Sequence, residues 1–162
     1  MKCENCGSSL ALIPGRKYLF CEYCGSFYFP DESSEEVKIL EGELDPDGLQ
    51  CPVCKVKLSR VLIDGYPGWR CKKCRGILTA QPSFREIVKY RRRQASDPPE
   101  RPQPLNKEDL KRHISCPCCG EMMGTHPYYG PGNIVIDTCH NCHIIWLDHG
   151  EIGTVIKAPG RS

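Results

Sequence analysis

Six C-x-x-C pairs, short apolar stretches between them and the lack of any long periodic run predict a small, metal-stabilised fold. It consists of three tandem zinc ribbons, each a short antiparallel β-hairpin followed by a short α-helix. Of the 162 residues 13 are cysteine, a content that fits either a disulfide scaffold or a set of metal sites. The odd count argues against complete disulfide pairing. No apolar stretch approaches the ~20 residues of a membrane helix. With a cysteine already at position 3, no secretory signal is expected at the start. The expected compartment is a reducing cytoplasm, where thiols bind metal rather than cross-link.

The pairs are Cys3/Cys6, Cys21/Cys24, Cys51/Cys54, Cys71/Cys74, Cys116/Cys119 and Cys139/Cys142. Gaps of 14, 16 and 19 residues alternate with gaps of 26 and 41, so neighbouring pairs close into three C-x2-C…C-x2-C units. Two thiolates two residues apart grip one ion from a tight turn, and two such turns complete a tetrahedron. The expected cofactor is zinc, three ions per chain, in closed sites with no position left for water or substrate. Gly7, Gly25 and Gly120 follow the second cysteine of their turns, where a positive φ brings backbone N–H groups toward sulfur. The thirteenth cysteine, Cys118, falls outside the spacing and is read as a spare surface thiol. Iron is the competing metal for four thiolates, and separate ribbons with knuckle glycines favour zinc over a cluster. A thioredoxin-like redox role needs a βαβ context that no pair here has.

In the first unit, residues 10–13 and 18–20 read as the strands of a hairpin about Pro14 and Gly15, with a third strand at 27–29. The second unit repeats this with 56–63 and 68–70 about Asp64 and Gly65, then 77–78. The third has 134–136 after a turn at 130–132, then 144–147. Ser33 with Glu36, Ser83 with Glu86 and Asp148 with Glu151 resemble capping boxes opening short helices. The pairs Val37/Leu40, Ile87/Tyr90 and Ile152/Val155 would line one helical face, although the first of these stretches fits an extended strand equally well. The expected organisation is ribbon 1 at 1–30, an acidic linker at 31–50, ribbon 2 with a basic helix at 51–93, a Pro-rich linker at 94–115 and ribbon 3 at 116–157. Within the second linker, 107–113 reads as a short helix capped by Asn106. Units of ~30 residues cannot bury a sufficient core, so metal binding must supply folding free energy.

Charge is unevenly placed. The formal +2 of the chain hides eight acids against one lysine in residues 31–50, and 16 basic against 6 acidic residues in 51–115. Twelve ionised ligands outweigh three zinc ions, which makes the metallated chain acidic overall and a poor non-specific nucleic-acid binder.

The third unit carries C-P-C-C-G-E-M-M from Cys116, then Asp137, Cys139, Cys142 and W-L-D-H-G-E from Trp146 to Glu151. It resembles the transcription factor IIB type zinc-finger family found in small bacterial proteins. His143 and Ile144 stand where that family usually has two glycines. The second unit is similar but degenerate, with Leu78 at the tryptophan position, and the first shares only the ribbon pattern. The resemblance implies zinc ribbons and an association with transcription.

The reading favoured for function is a non-catalytic protein-interaction or assembly module, with Trp146, Tyr128, Tyr129 and Tyr66 as candidate contacts. The alternative is a nucleic-acid-binding, transcription-associated protein using Arg70, Lys72, Lys73, Arg75, Arg91, Arg92 and Arg93. A second alternative is a thiol-redox or zinc-chaperone role. His126, His140, His143 and His149 with Asp137 and Asp148 offer donors for a further metal, although ordinary surface or capping roles are expected of them. Neither a membrane nor a small-molecule substrate is indicated.

Overall fold

The computed structural model describes residues 1–12, 18–30, 37–95 and 98–159. Two antiparallel sheets are present. In the first unit β1 (Ala11–Leu12), β2 (Leu19–Phe20) and β3 (Phe27–Tyr28) form a three-stranded sheet in that order. The expected turn at Pro14 and Gly15 lies outside the described residues.

The second and third units do not form separate modules. Strands β4 (Ile39–Leu44), β5 (Ser59–Ile63), β6 (Tyr66–Arg70), β7 (Ile77–Ala80), β8 (Gly124–Pro127), β9 (Val135–Cys139) and β10 (Ile144–Leu147) build one seven-stranded sheet. Its order is β4-β5-β6-β7-β10-β9-β8. The seam is the β7–β10 pair, and the reason lies in composition: every residue of β10 and the first three of β7 are buried. Such strands are apolar on both faces, and as free edges they would expose that surface together with unpaired backbone groups.

Leu78 lies directly opposite Trp146. Each stands four residues after the last ligand of its unit, Cys74 or Cys142. Equivalent positions facing each other across an antiparallel pair place a local two-fold axis between them, and the strand order on either side is accordingly mirrored. Trp146 is fully buried. Its ring lies against Gly76, where an added Cβ would overlap the Cζ2 and Cη2 atoms of the indole. The tryptophan of one ribbon thus occupies space left by the missing side chain of the other.

Side-chain alternation gives the large sheet two apolar faces. One carries Val61, Ile63, Ile77, Ile145 and Leu147 beneath two helices, α1 (Gln81–Gln94) and α2 (Glu151–Lys157). The other carries Leu58, Leu78, Met123 and Trp146 among the cysteines of the second and third units. We call these the helix face and the zinc face.

Several elements differ from the sequence expectation. The acidic stretch 31–50 is not simply a linker: Val37 is buried and β4 extends the sheet along β5. The extended alternative holds there because Ile39 and Val37 reach the helix-face core, while Ser33 and Glu36 lie outside the described residues. Helix α1 begins ahead of Ser83, with Ala80 at the N-cap and no side-chain cap. Its first N–H instead donates to the His143 carbonyl at 2.9 Å, a contact across the seam that replaces a cap. Its buried residues are Phe84, Ile87 and Val88, leaving Tyr90 exposed. At α2 the Glu151 carboxylate does reach back to the Asp148 N–H at 2.9 Å, but the N-cap is Gly150. The Asp64–Gly65 turn is as expected, with φ of 48° and 86°, the positive pair a tight hairpin requires. The segment after Asn106 is a 3-10 helix, Lys107–Lys111, and Asn106 accepts from Glu108 N–H at 3.1 Å.

The small sheet docks through aromatic rings. Tyr18 is buried and packs on Phe27 and Phe29, and Phe29 meets His149 edge-on with centroids 4.9 Å apart. Arg75 of the second unit lies 4.2 Å over the Phe29 ring. The first unit therefore sits against the second knuckle and the start of α2.

Trp146→Ala is expected to cost about 3–5 kcal/mol in urea unfolding of the zinc-loaded protein. Gly76→Val, which removes nothing, should destabilise as well by displacing the ring, and tryptophan fluorescence should report the change.

Candidate metal centres

Six knuckles hold the ligands, and all six share one turn. The N–H of the residue after the second cysteine donates to the carbonyl of the first. The pairs are Gly7 to Cys3, Gly25 to Cys21, Lys55 to Cys51, Arg75 to Cys71, Gly120 to Cys116 and His143 to Cys139, all at 2.8–2.9 Å. All six donors have positive φ, from 56° at His143 to 80° at Gly7. Glycine takes this conformation freely, whereas Lys55, Arg75 and His143 hold it at a cost of about 1–2 kcal/mol each. His143 at the sixth knuckle therefore keeps the turn intact at the cost of strain.

The turns bring the cysteines together in three groups of four: Cys3, Cys6, Cys21, Cys24; Cys51, Cys54, Cys71, Cys74; and Cys116, Cys119, Cys139, Cys142. Within each group all Sγ atoms lie within 4.8 Å of one another. Individual separations are 3.6 Å for Cys3–Cys24, 3.5 Å for Cys6–Cys21, 3.8 Å for Cys51–Cys74 and 3.6 Å for Cys119–Cys139. A tetrahedron with Zn–S bonds of ~2.3 Å has edges of ~3.8 Å, so each group has near-tetrahedral spacing of the size a zinc ion takes. Backbone N–H groups support the sulfurs: Cys54 donates to Cys51 Sγ at 3.2 Å and Cys74 to Cys71 Sγ at 3.4 Å. The Ser26 hydroxyl, 3.1 Å from Cys24 Sγ, and the Ser26 N–H hold that thiol down to about 5, while burial pushes Cys116 up to about 11. A bound dication resolves such opposing pulls by taking all four as thiolates. Cys118 is exposed and outside all three groups.

The histidines do not assemble a further site. Among the described residues the three cysteine groups are the ones able to hold a metal ion. His140 and His143 are exposed, His126 contacts the Thr138 hydroxyl at 3.1 Å, and His149 is buried against Phe29. Asp137 and Asp148 serve a different purpose, hidden from the sequence. Arg112 donates to Asp137 at 2.6 Å and to Asp148 at 3.0 Å, and both carboxylates are buried. Thr125 donates to Asp137 at 2.6 Å and the Trp146 indole N–H lies 3.3 Å from Asp148. Burial disfavours the guanidinium charge, but the two carboxylates outweigh it and hold Arg112 cationic. The aspartate of the W-L-D-H-G-E run is thus a hydrogen-bonded anchor for the tryptophan and for the chain entering the third ribbon.

The basic residues divide. Arg70 donates to Glu41 at 2.6 Å, Arg91 to Asp64 at 2.7 Å, and Arg92 to the Val155 and Ala158 carbonyls at 2.7 and 2.8 Å, closing the C-terminal end of α2. Arg75 covers Phe29. Lys72, Lys73 and Arg93 are exposed. Of the candidate aromatic contacts, Trp146 is core, Tyr128 packs on Phe84, Tyr66 is part-exposed and Tyr129 is 96% exposed. Asp45, one of the acids of 31–50, is buried. Its carboxylate accepts from Leu49 N–H and Arg60, which hold it below the usual carboxylate range.

Fold and sites together define a zinc-ribbon protein with three four-cysteine centres. The transcription factor zinc-finger family, a zinc ribbon of the transcription factor IIB type, matches residues 50–79. The match falls on the second ribbon, the degenerate one of the two that resemble the family. No curated protein and no solved structure gives a match. No helix among the described residues is long and apolar enough to cross a membrane.

Complete chelation is expected to abolish cooperative unfolding followed by circular dichroism. Because the second and third centres share one apolar cluster, replacing Cys116 and Cys119 by serine should also weaken metal binding at the second centre about tenfold or more. Serine at Cys3 and Cys6 should leave the second and third unchanged, as cobalt titration would show. Arg112→Met, which removes the guanidinium shared by two buried carboxylates, is expected to cost about 3–5 kcal/mol in urea unfolding.

Proposed function

We propose that the protein is a non-catalytic scaffold whose zinc centres hold a surface for a protein partner. The observation that carries this reading is how its cations and apolar side chains are spent. Arg70, Arg91 and Arg92, three of the arginines a nucleic-acid backbone would need, are used inside the fold. Large apolar side chains stand out at the knuckles instead: Tyr23 in the first is 82% exposed and Met122 beside the third 68%. Val53 in the second is also exposed. Side chains of this kind presented on rigid metal-held turns suit a protein surface better than phosphates. Four thiolates per ion leave no open coordination position, which supports a structural rather than a catalytic role for the metal. Within this reading Cys118 is a surface thiol, and neither redox nor zinc-transfer chemistry is assigned to it.

The test is affinity purification of the zinc-loaded chain with crosslinking, with and without nuclease and at high salt. A protein partner retained under all three conditions, and lost on replacing Tyr23 and Met122 by serine, is the expected result. Retention of nucleic acid alone, lost on nuclease treatment or added salt, would overturn it.

A further inference from the structure

The helix face of the sheet carries a pocket of about 450 Å³ between α1, the β5–β6 turn and the start of β4. Its floor is Ile87, which is buried. Tyr66, 37% exposed on the hairpin, and Tyr90, 58% exposed on α1, both line it. Three exposed cations complete the lining: Lys38 immediately before β4, and Lys89 and Arg93 from α1. None of these three forms an ion pair with a described residue. Arg91 and Asp64, also in the lining, are bound to each other and brace the wall, and Glu86 adds one acid. Lysines 72 and 73 belong to the knuckles of the zinc face and take no part.

We propose that this pocket binds a nucleotide, its base stacked on Tyr66 and Tyr90 and its phosphate held by Lys38, Lys89 and Arg93. Tyrosines beside an apolar floor offer a π-face that a bare phosphate or an acidic side chain does not use. The volume lies within the range of small-ligand sites. Asp64 ties the two sources of these cations together, its carboxylate accepting from the Lys38 N–H at 2.9 Å and from Arg91 of α1 at 2.7 Å, so cations and tyrosines line one pocket. Two sources of the same chemistry are compatible with this site, a free mononucleotide and one nucleotide of a single strand. The scaffold reading does not enter the argument, and partner capture and nucleotide binding can fail independently.

The experiment uses the zinc-loaded full chain. Binding is measured for adenosine monophosphate, for ribose 5-phosphate and for labelled single-stranded RNA and DNA, with a phosphotyrosine peptide as competitor. Expected is binding of the mononucleotide or the single strands, weakened about fivefold or more by Tyr66→Ala or Tyr90→Ala. For the single strands, Lys89→Ala with Arg93→Ala should reduce the salt dependence as well as the affinity. Lys72→Ala with Lys73→Ala should leave binding unchanged. Tighter binding of adenosine monophosphate than of single strands would identify a free nucleotide as the ligand, and the reverse a strand. The proposal is overturned if no nucleotide or strand binds at low salt, or if ribose 5-phosphate binds as tightly as the nucleotide. It is also overturned if the phosphopeptide is preferred, or if the tyrosine variants bind normally. Both tyrosines are exposed, and zinc content of the variants confirms that folding is retained.

Discussion

Trp146 must be kept dry on every side, and most of the large sheet follows from that requirement. Its own ribbon is too small to enclose it. The ring finds cover over Gly76 and beside Leu78 of the neighbouring ribbon, so β7 and β10 pair and the two hairpins become one sheet. Sheet formation then places α1 and α2 on one face and both metal centres on the other. A single indole thereby connects the second and third zinc sites through shared packing, while its N–H reaches Asp148 and, through that carboxylate, Arg112. The first ribbon joins from the edge, with Phe27 against the zinc-face cluster and ring contacts to His149 and Arg75.

Charge follows the same economy. The acids of 31–50 and the arginines of the second ribbon look like opposed fields when read along the chain. Among the described residues, Glu41 pairs with Arg70 and buried Asp45 with Arg60, two contacts that tie the incoming segment to the sheet. Asp64 extends the pattern by binding Arg91 of α1 to the hairpin turn. Pairs of this kind are individually modest where exposed. Their value here is positional, since each joins elements far apart in sequence.

What was legible in the sequence was local. Ligand spacing is set by a single turn, so twelve cysteines group as their spacing predicts and Cys118 stands apart. The Asp64–Gly65 hairpin and strand β10 were legible for the same reason. The β7–β10 seam was not, because pairing between residues nearly seventy apart leaves no mark in either stretch. A trace did exist in the apparent degeneracy of the second unit, where Gly76 and Leu78 are the complement of Trp146. Arg112 was illegible because an arginine between a lysine and a histidine reads as solvent-facing, and only the fold brings Asp137 and Asp148 to it. The knuckle residues Lys55, Arg75 and His143 hid in the same way, since nothing in a side chain announces a left-handed backbone imposed by its neighbours. Tyr90 was placed on the inner face of α1 by periodicity, but helix packing chose Val88 beside Ile87 instead.

The local two-fold axis between Leu78 and Trp146 has a bearing on assembly. Two identical ribbons meeting about such an axis would bring like to like, either two leucines around a hole or two indoles competing for one space. This chain divides the roles, one ribbon supplying the knob and the other the socket. Each ribbon is therefore a poor partner for its own copy and a good one for its neighbour. Pairing of like ribbons between copies is thereby disfavoured, while the unlike pair closes the sheet in this chain.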